Sequence, residues 1–343
     1  MTRVAVVGAG SWGTAVAALA ASNTSTVLWA RRSDLADEIR REHTNRAYLP
    51  DATLPPSLEA TSDLAEAIAG SEVVVMGVPS HGFREILTGV APHIAPGVPV
   101  VSLTKGVEQG TLKRMTELIA EVLPGNPAGV LTGPNLAREV VAGQPAASVI
   151  ALSDETVAAE LQPLFSTPTF RVYTNPDVIG AEVAGALKNV MAIAAGMADG
   201  MGLGDNAKAA LITRGLAELT RLGVALGGQP LTFAGLAGIG DLVATCMSRQ
   251  SRNRHVGEEL GKGRSIEEII ADMNMVAEGV KTSRAVVGLA EAHGVDMPIA
   301  AQVVAVLYEG QTPAEGLLSL MSRDPKQELH GISGPEEFKP DAS

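Results

Sequence analysis

The stretch from Arg3 to Arg32 leaves this chain few folds to choose from. Arg3 to Gly8 reads RVAVVG, an apolar strand, and the G-x-G-x-x-G turn Gly8-Ala9-Gly10-Ser11-Trp12-Gly13 follows it directly. An alanine-rich helix over Thr14 to Ser22 comes next, then a second strand, Thr26 to Ala30 (TVLWA), closed by Arg31-Arg32. Each glycine has a physical task. Gly8 permits the tight turn, Gly10 lets backbone approach a pyrophosphate, and Gly13 lets the helix pack on the strand. The helix start then offers free N–H groups and a positive dipole end to phosphates. A pocket for NAD usually carries Asp or Glu about 20 residues on, bonded to the ribose 2′-hydroxyl. Here Arg31 and Arg32 hold that place. Two guanidinium groups suit a 2′-phosphate, which a carboxylate would repel, so NADP(H) is the expected cofactor, with NAD as the alternative.

The first half keeps alternating. Asp34 to Glu42 and Ala60 to Ile68 read as helices, Glu72 to Val78 as a buried strand, Phe83 to His93 as a helix, and Val98 to Leu103 as a strand ending at Lys105. Leu112 to Leu123 is an amphipathic helix, Gly129 to Leu131 a short strand before Gly133-Pro134-Asn135, and 146–151 and 169–173 read as edge strands. This rhythm predicts an α/β fold, a doubly wound Rossmann-type parallel sheet with right-handed crossovers. Ligands in such sheets sit beyond the carboxyl ends of the strands, where Gly8, Arg31, Val78-Pro79-Ser80, Lys105 and Gly133-Pro134 all fall. From about Val178 the pattern turns to long helices: 183–197, 207–226, 251–261, 265–272, 283–293 and 299–309. The expected organisation is a nucleotide domain over residues 1–177, an all-helical domain over 178–330 and a Gly/Pro/acid-rich disordered tail over 331–343.

Composition narrows the partners. The 343 residues are 46% hydrophobic and only 3% aromatic, enough for two aliphatic cores. The formal net charge of −12 leaves no global basic field for nucleic acid, so local cations must bind any anion. Cys246, the single cysteine, cannot form an internal disulfide and reads as a small buried side chain in a reducing cytoplasm. The first strand starts at once, leaving no room for a signal peptide, and the most apolar helical stretch is interrupted by Gly and Lys188, so no membrane span is expected. The six histidines lack ligand spacing, and no metal site is expected. The apolar faces of the helical half suggest a homodimer.

Polar residues stand in apolar company at three places in the helical half. Lys188-Asn189 interrupts the nearly all-apolar stretch Ala181 to Ile193. A lysine there either reaches solvent from a helix face or has a partner and a task; burial and a nearby cation would lower its pKa and make it a proton carrier near neutrality. Asp241, after Gly238-Ile239-Gly240, is placed to cap the next helix, and such a carboxylate could also orient Lys188. Ser251-Arg252-Asn253-Arg254 opens a helix and reads either as a solvated basic turn or as a phosphate site. Asp205 is expected to cap another helix.

The motifs GAGSWGTA, LTKG, GPN, GALKNVMAIAAG, GDNAKAALITRGLAE, GLAGIGDLVATC, SRNR and AEGV resemble, in order and spacing, those of bacterial NAD(P)-dependent glycerol-3-phosphate dehydrogenases, across the chain to about residue 330. Enzymes of the 6-phosphogluconate dehydrogenase type share the architecture, including the helical second domain, but not this set. The resemblance implies that Ser11, Trp12, Arg31, Arg32, Lys105 and Ala137 contact the cofactor, with Val276 and Glu278 closing over the nicotinamide end. It implies that Lys105, Gly133, Asn135, Lys188, Asp241, Ser251, Arg252 and Asn253 contact the substrate, that Lys188 is the proton carrier, and that Arg252 serves both ligands. Asn135 stands where such families commonly carry Ser or Thr.

The reaction so implied interconverts dihydroxyacetone phosphate and sn-glycerol 3-phosphate, supplying the latter for phospholipid synthesis. Lys105 would stabilise the developing alkoxide and depress the pKa of Lys188, and Asp241 would hold the amine. Two other readings stay open. A related dehydrogenase acting on a β-hydroxy acid would bind a carboxylate and need no phosphate. A non-catalytic NADPH sensor would keep Gly8 to Arg32 without needing Lys188 and Asp241.

Overall fold

Valine-rich runs build the centre of the sheet. In the computed structural model of the chain, which describes residues 2–273 and 277–328, strand β1 (Arg3–Val7) lies between β2 (Ser25–Trp29) and β4 (Val73–Met76), parallel to both. Strand β3 (Leu58–Thr61) flanks β2, and β5 (Val100–Ser102) and β6 (Ala128–Thr132) continue beyond β4, all parallel. Strand β7 (Ala146–Leu152) runs antiparallel to β6, and β8 (Phe170–Asn175) parallel to β7. The order is therefore β3-β2-β1-β4-β5-β6-β7-β8, and the winding reverses between β1 and β4, the point at which doubly wound sheets bind their ligands. Helices α1 (Ser11–Ala21), α2 (Ser33–Glu42), α3 (Leu64–Ile68), α4 (Phe83–Val90), α5 (Met115–Val122), α6 (Ala137–Val141) and α7 (Glu155–Phe165) connect the strands. Two apolar layers result, one centred on Val4, Val6 and Leu28, the other on Ala5, Val7 and Phe83.

Some local expectations need correction. The helix expected over 60–68 is split into β3 and α3. Leu58 and Ala60 are buried alternately with exposed Glu59, a two-residue period, and Asp63 then caps α3 by accepting from the Glu66 N–H at 3.0 Å. Helices α6 and α7 were not anticipated; α7 is capped by Asp154, which accepts from Thr156 and Val157. The helix expected from Leu112 starts only at Met115, because Leu112 adopts a left-handed φ of 60°.

At Gly8 and Gly13 the glycine turn leaves no room for a side chain. Gly8 has φ +117°, and a Cβ there would lie 2.6 Å from the Gly77 carbonyl oxygen. A Cβ on Gly13 would overlap the Gly8 oxygen. Asn45, fully buried, braces the same turn by donating to the Ala9 oxygen at 3.0 Å and to Thr14 Oγ1 at 2.9 Å.

After β8 the chain is helical: α8 (Val178–Gly200), α9 (Asp205–Ala225), α10 (Pro230–Phe233), a π-helical turn (Leu236–Gly240), α11 (Asp241–Met247), α12 (Arg252–Gly261), α13 (Ile266–Asp272), α14 (Glu278–Ala292), α15 (Pro298–Tyr308) and α16 (Pro313–Met321). Helix α8 is long and apolar enough to cross a bilayer, yet 94% of its apolar window is buried inside the protein. It is the axis around which the other helices pack. The sequence expectation that Asp205 caps α9 does not hold: Gly204 takes the cap position, and Asp205 is the first helical residue.

The approach of α12 to α8 depends on having no side chain at the crossing. A Cβ on Gly257 would overlap the Ile193 carbonyl oxygen, and one on Gly196 would overlap that of Arg254. Gly257→Ala is therefore expected to cost about 1–3 kcal/mol by overpacking. Gly288, in α14, faces open space. Gly288→Ala should leave the thermal midpoint unchanged or raise it, through the higher helix propensity of Ala. Thermal unfolding of the two variants side by side checks this; equal midpoints would contradict the crossing geometry.

Candidate active site

The end of β5, the middle of α8 and the start of α11 converge where the sheet meets the helical half. Lys105 lies just past β5, at the carboxyl rim. Its stem runs over Gly185 of α8, whose missing Cβ would sit 3.6 Å from Lys105 Cγ. Lys188 is one turn further along α8 and only 5% exposed. Asp241 is 2% exposed, and its two oxygens divide between the lysines: Oδ2 is 2.5 Å from Lys105 Nζ, and Oδ1 is 3.0 Å from Lys188 Nζ. Lys105 Nζ also donates to the Gly133 oxygen at 2.9 Å, and Lys188 Nζ to Thr245 Oγ1 at 2.6 Å. Thr245 in turn donates to the Asp241 carbonyl at 2.6 Å. Asp241 is not a helix cap: Gly240 holds that position, and the carboxylate is engaged by the two amines.

Burial sets the electrostatics. Desolvation lowers the Lys105 pKa to about 8, with Lys188 pushing the same way and the Asp241 carboxylate opposing. The Glu278 carboxyl is raised by burial, while its hydrogen bond from the Ser80 N–H and the charges of Arg252, Lys188 and Lys105 pull it back. Burial pushes the Cys246 thiol up to about 12, which keeps it protonated and unreactive.

Around this cluster the other expected residues take distinct places. Ser251 Oγ caps α12 by accepting from the Arg254 N–H at 3.2 Å, and Arg252, the first residue of that helix, is exposed. Asn253 is turned inward: Nδ2 donates to Asn189 Oδ1 at 3.0 Å, and Oδ1 accepts from the Gly279 N–H at 2.9 Å. Asn189 donates in turn to the Lys105 oxygen at 3.2 Å. Gly133 has φ +140°, and the Asn135 amide donates to Ser148 Oγ at 3.3 Å. Asn135 Oδ1 is a buried acceptor without a partner among the described residues.

On the cofactor side, Gly10 holds the α1 cap position in an extended conformation with no side-chain cap bond, and a Cβ there would meet nothing within 4 Å. No side chain caps the first-turn N–H groups, which fits a pyrophosphate there. Ser11 Oγ donates to the Tyr48 oxygen at 3.1 Å. Trp12 packs on Phe170, ring centroids 6.2 Å apart, with its indole N–H unpartnered among the described residues. Arg31 and Arg32 are exposed just beyond β2, Arg32 being 3.6 Å from Asp34. Ala137 is the half-buried first residue of α6. Val276 lies outside the described residues.

Sequence reasoning missed Thr245, Asn45 and Ser148. Thr245 had a usable signal, since it follows Asp241 by four residues and so shares its helix face. Asn45 and Ser148 had none: one sits in an irregular loop, the other inside a strand.

A doubly wound sheet with a G-x-G-x-x-G turn at its first strand, joined to a helical half through a buried amine–carboxylate–amine cluster at the end of β5, is the architecture of a dinucleotide-dependent oxidoreductase. Residues 3–158 match the N-terminal domain of NAD-dependent glycerol-3-phosphate dehydrogenase, and residues 177–317 match its C-terminal domain. The chain is 58% identical to glycerol-3-phosphate dehydrogenase [NAD(P)+] 2 of Sphingopyxis alaskensis, covering 96% of this chain and 98% of the relative. It is 53% identical to glycerol-3-phosphate dehydrogenase [NAD(P)+] of Mycobacterium avium, covering 96% and 97%. The crystal structure of glycerol-3-phosphate dehydrogenase from Coxiella burnetii superposes with a TM-score of 0.90 at 40% identity, covering 94% of this chain and 99% of that one. The chain belongs to the NAD-dependent glycerol-3-phosphate dehydrogenase family.

The cluster makes stability depend on pH in a defined direction. The folded Lys105 pKa of about 8 lies below the free-lysine value, which is about 10.4. Between those two values the unfolded chain binds more protons, so this group adds stability as pH rises through the window and opposes folding below it. Asp241→Asn leaves two buried cations uncompensated, a loss of about 3–5 kcal/mol near neutrality. The deficit in thermal midpoint relative to the native sequence should shrink between pH 7 and pH 9.5. A deficit that stays constant or widens would show that Asp241 does not balance these charges.

Proposed function

We propose that the chain catalyses the reversible reduction of dihydroxyacetone phosphate to sn-glycerol 3-phosphate, with NADPH preferred and NADH as the alternative, and so supplies glycerol 3-phosphate for phospholipid synthesis. In this reading residues 1–177 bind the nucleotide and residues 178–330 carry substrate binding and catalysis. The enzyme works in the cytoplasm as a homodimer; the single buried Cys246 is in keeping with that compartment. The observation that carries the reading is the division of the Asp241 carboxylate between Lys105 and Lys188 at the sheet's carboxyl rim.

When bound, the nicotinamide supplies the hydride that reaches substrate C2. Lys188 supplies the proton. An ammonium has three donors. Asp241 Oδ1 and Thr245 Oγ1 hold two of them. The third is left for the substrate's carbonyl oxygen, which becomes the C2 hydroxyl; in oxidation the amine takes that proton back. Lys105, aimed by Gly133 and Asp241, stabilises the oxygen as negative charge develops. The exposed Arg252 and the start of α12 dock the phosphate and so fix C2. The Gly8-Gly10-Gly13 turn and the α1 start hold the pyrophosphate, Arg31 and Arg32 the 2′-phosphate, and Glu278, bonded to the Ser80 N–H at 3.4 Å, closes the nicotinamide end.

The test follows NADPH absorbance on adding dihydroxyacetone phosphate, then dihydroxyacetone, then β-keto acids. Only the first should be consumed rapidly; turnover of a β-keto acid without phosphate would overturn the substrate assignment. Lys188→Ala should lower kcat by about 10²–10⁴, the usual worth of general acid catalysis, while NADPH binding stays nearly intact. Wild-type turnover in this variant would remove Lys188 from the mechanism.

Replacing both Arg31 and Arg32 with Ser should raise KM for NADPH far more than KM for NADH. Equal effects on the two would refute the 2′-phosphate assignment.

A further inference from the structure

Lys188 and Asp241 belong to the helical half, whereas Lys105 reaches them from the sheet, so the cluster depends on how the two halves are held in register. One face of α8 meets the sheet domain at three levels. Asn189 donates to the Lys105 carbonyl at 3.2 Å, Gly185 lies under the Lys105 stem, and Glu182, three residues before Gly185, reaches Arg114 and Thr116. Spacings of three and seven residues place these three on one helix face.

The Glu182 contact is the one made by opposite charges, and it is buried. Its side chain is 5% exposed and that of Arg114 15%, with Arg114 Nη1 2.7 Å from Glu182 Oε2. Glu182 Oε1 accepts from the Thr116 N–H at 2.9 Å, and Oε2 accepts from Thr116 Oγ1. Arg114 is fixed from the other side as well. It pairs with Val107 in an isolated antiparallel bridge, its N–H donates to Glu117 Oε2 at 2.8 Å, and Glu108 N–H donates to the Lys113 oxygen at 2.9 Å. The loop that begins at Lys105 is thereby closed on Arg114, and Arg114 is bolted to α8. Two further links between the halves, Gln250 with Glu139 and Gln109 with the Lys281 oxygen, are exposed and fix little, and the part-buried bond from the Ser80 N–H to Glu278 ties α14 rather than the Lys105 loop.

We propose that Glu182 is a positioning residue: its buried pair with Arg114 locks the Lys105 loop to α8 and so sets Lys105 against Lys188 and Asp241. The inference rests on the catalytic reading given above. The Lys105 ammonium faces Asp241 from α11, Lys188 from α8 and Glu278 from α14, and burial among them holds its pKa low. A loosened register admits water and relaxes that value upward.

The experiment compares the full-length native sequence with Glu182→Gln and with Arg114→Lys. Competitive acetylation of Lys105 across pH, read by peptide mass spectrometry, gives its titration midpoint without any turnover. Steady-state kinetics give kcat with dihydroxyacetone phosphate, and fluorescence titration gives Kd for NADPH. Glu182→Gln should raise the Lys105 midpoint by half a unit or more and lower kcat by about tenfold, within the range expected of a sub-ångström to ångström misplacement. Kd for NADPH should stay within twofold, and Arg114→Lys should fall between the two. A folded variant with native kcat and native Lys105 midpoint would overturn the proposal. If Glu182→Gln does not fold, Arg114→Lys decides by the same readouts. If the native enzyme does not turn over dihydroxyacetone phosphate, the catalytic reading fails separately, and the acetylation midpoints still decide the positioning role.

Discussion

One carboxylate holds two buried ammonium groups in this protein, and the Asp241 pairs with Lys105 and Lys188 account for much of what surrounds them. Removing a single ion from water costs several kcal/mol even after relaxation. Two cations brought within reach of one another are tolerated only because Asp241 lies between them, one oxygen to each. Thr245 and the Gly133 carbonyl then satisfy further donors, so the amines are fixed rather than merely neutralised. A group that titrates near pH 8 and a second held in a fixed frame are what proton transfer at neutral pH calls for. The balance works only when all three side chains are present and in place.

That requirement explains the architecture of the second half. Lys188 sits on a helix buried along nearly its whole length, packed on α12 through glycines at the crossing. A helix enclosed on all sides has little freedom to slide or rotate, since packed interiors resist small displacements. The π-helical turn before α11 delivers Asp241 to the same point with its carboxylate free of any capping duty. Two chained amides, Asn253 to Asn189 and Asn189 to the Lys105 carbonyl, tie α12, α8 and the end of β5 together. The cofactor half is simpler. Its glycine turn lies within a strand, a turn and a helix contiguous in the chain, braced from outside by Asn45.

Much of the fold was legible because it rests on local patterns. The strand–glycine–helix opening, the alternating rhythm and the change to long helices near Val178 are all matters of period and turn chemistry. Where the reading slipped, competing local rules were at fault. Over 58–68 a two-residue burial period gives way to a helix behind the Asp63 cap, and a helical reading blurred the two. The catalytic candidates Lys188 and Asp241 stood out as polar residues in apolar company. Thr245 did not, because a threonine inside a helix is unremarkable by composition, and Asn45 lay in a loop without periodicity. Position after glycine suggests a helix cap for both Asp241 and Asp205, yet in each case the glycine holds the cap. The amide of Asn253, assigned to the substrate by resemblance, spends one of its two N–H groups on Asn189 and accepts one bond from the Gly279 N–H.

By itself the sequence determined the class of fold, the strand–glycine–helix opening followed by Arg31-Arg32, and the identities of the polar residues that had to find partners in an apolar interior. Only the tertiary structure decided which partners those were. Lys105, Lys188 and Asp241 lie 83 and 53 residues apart along the chain, and no local rule of period, propensity or capping carries information over such separations. Their meeting is set by the packing of α8 against the sheet and α11, and charge balance in a buried site is a property of that meeting rather than of any one residue.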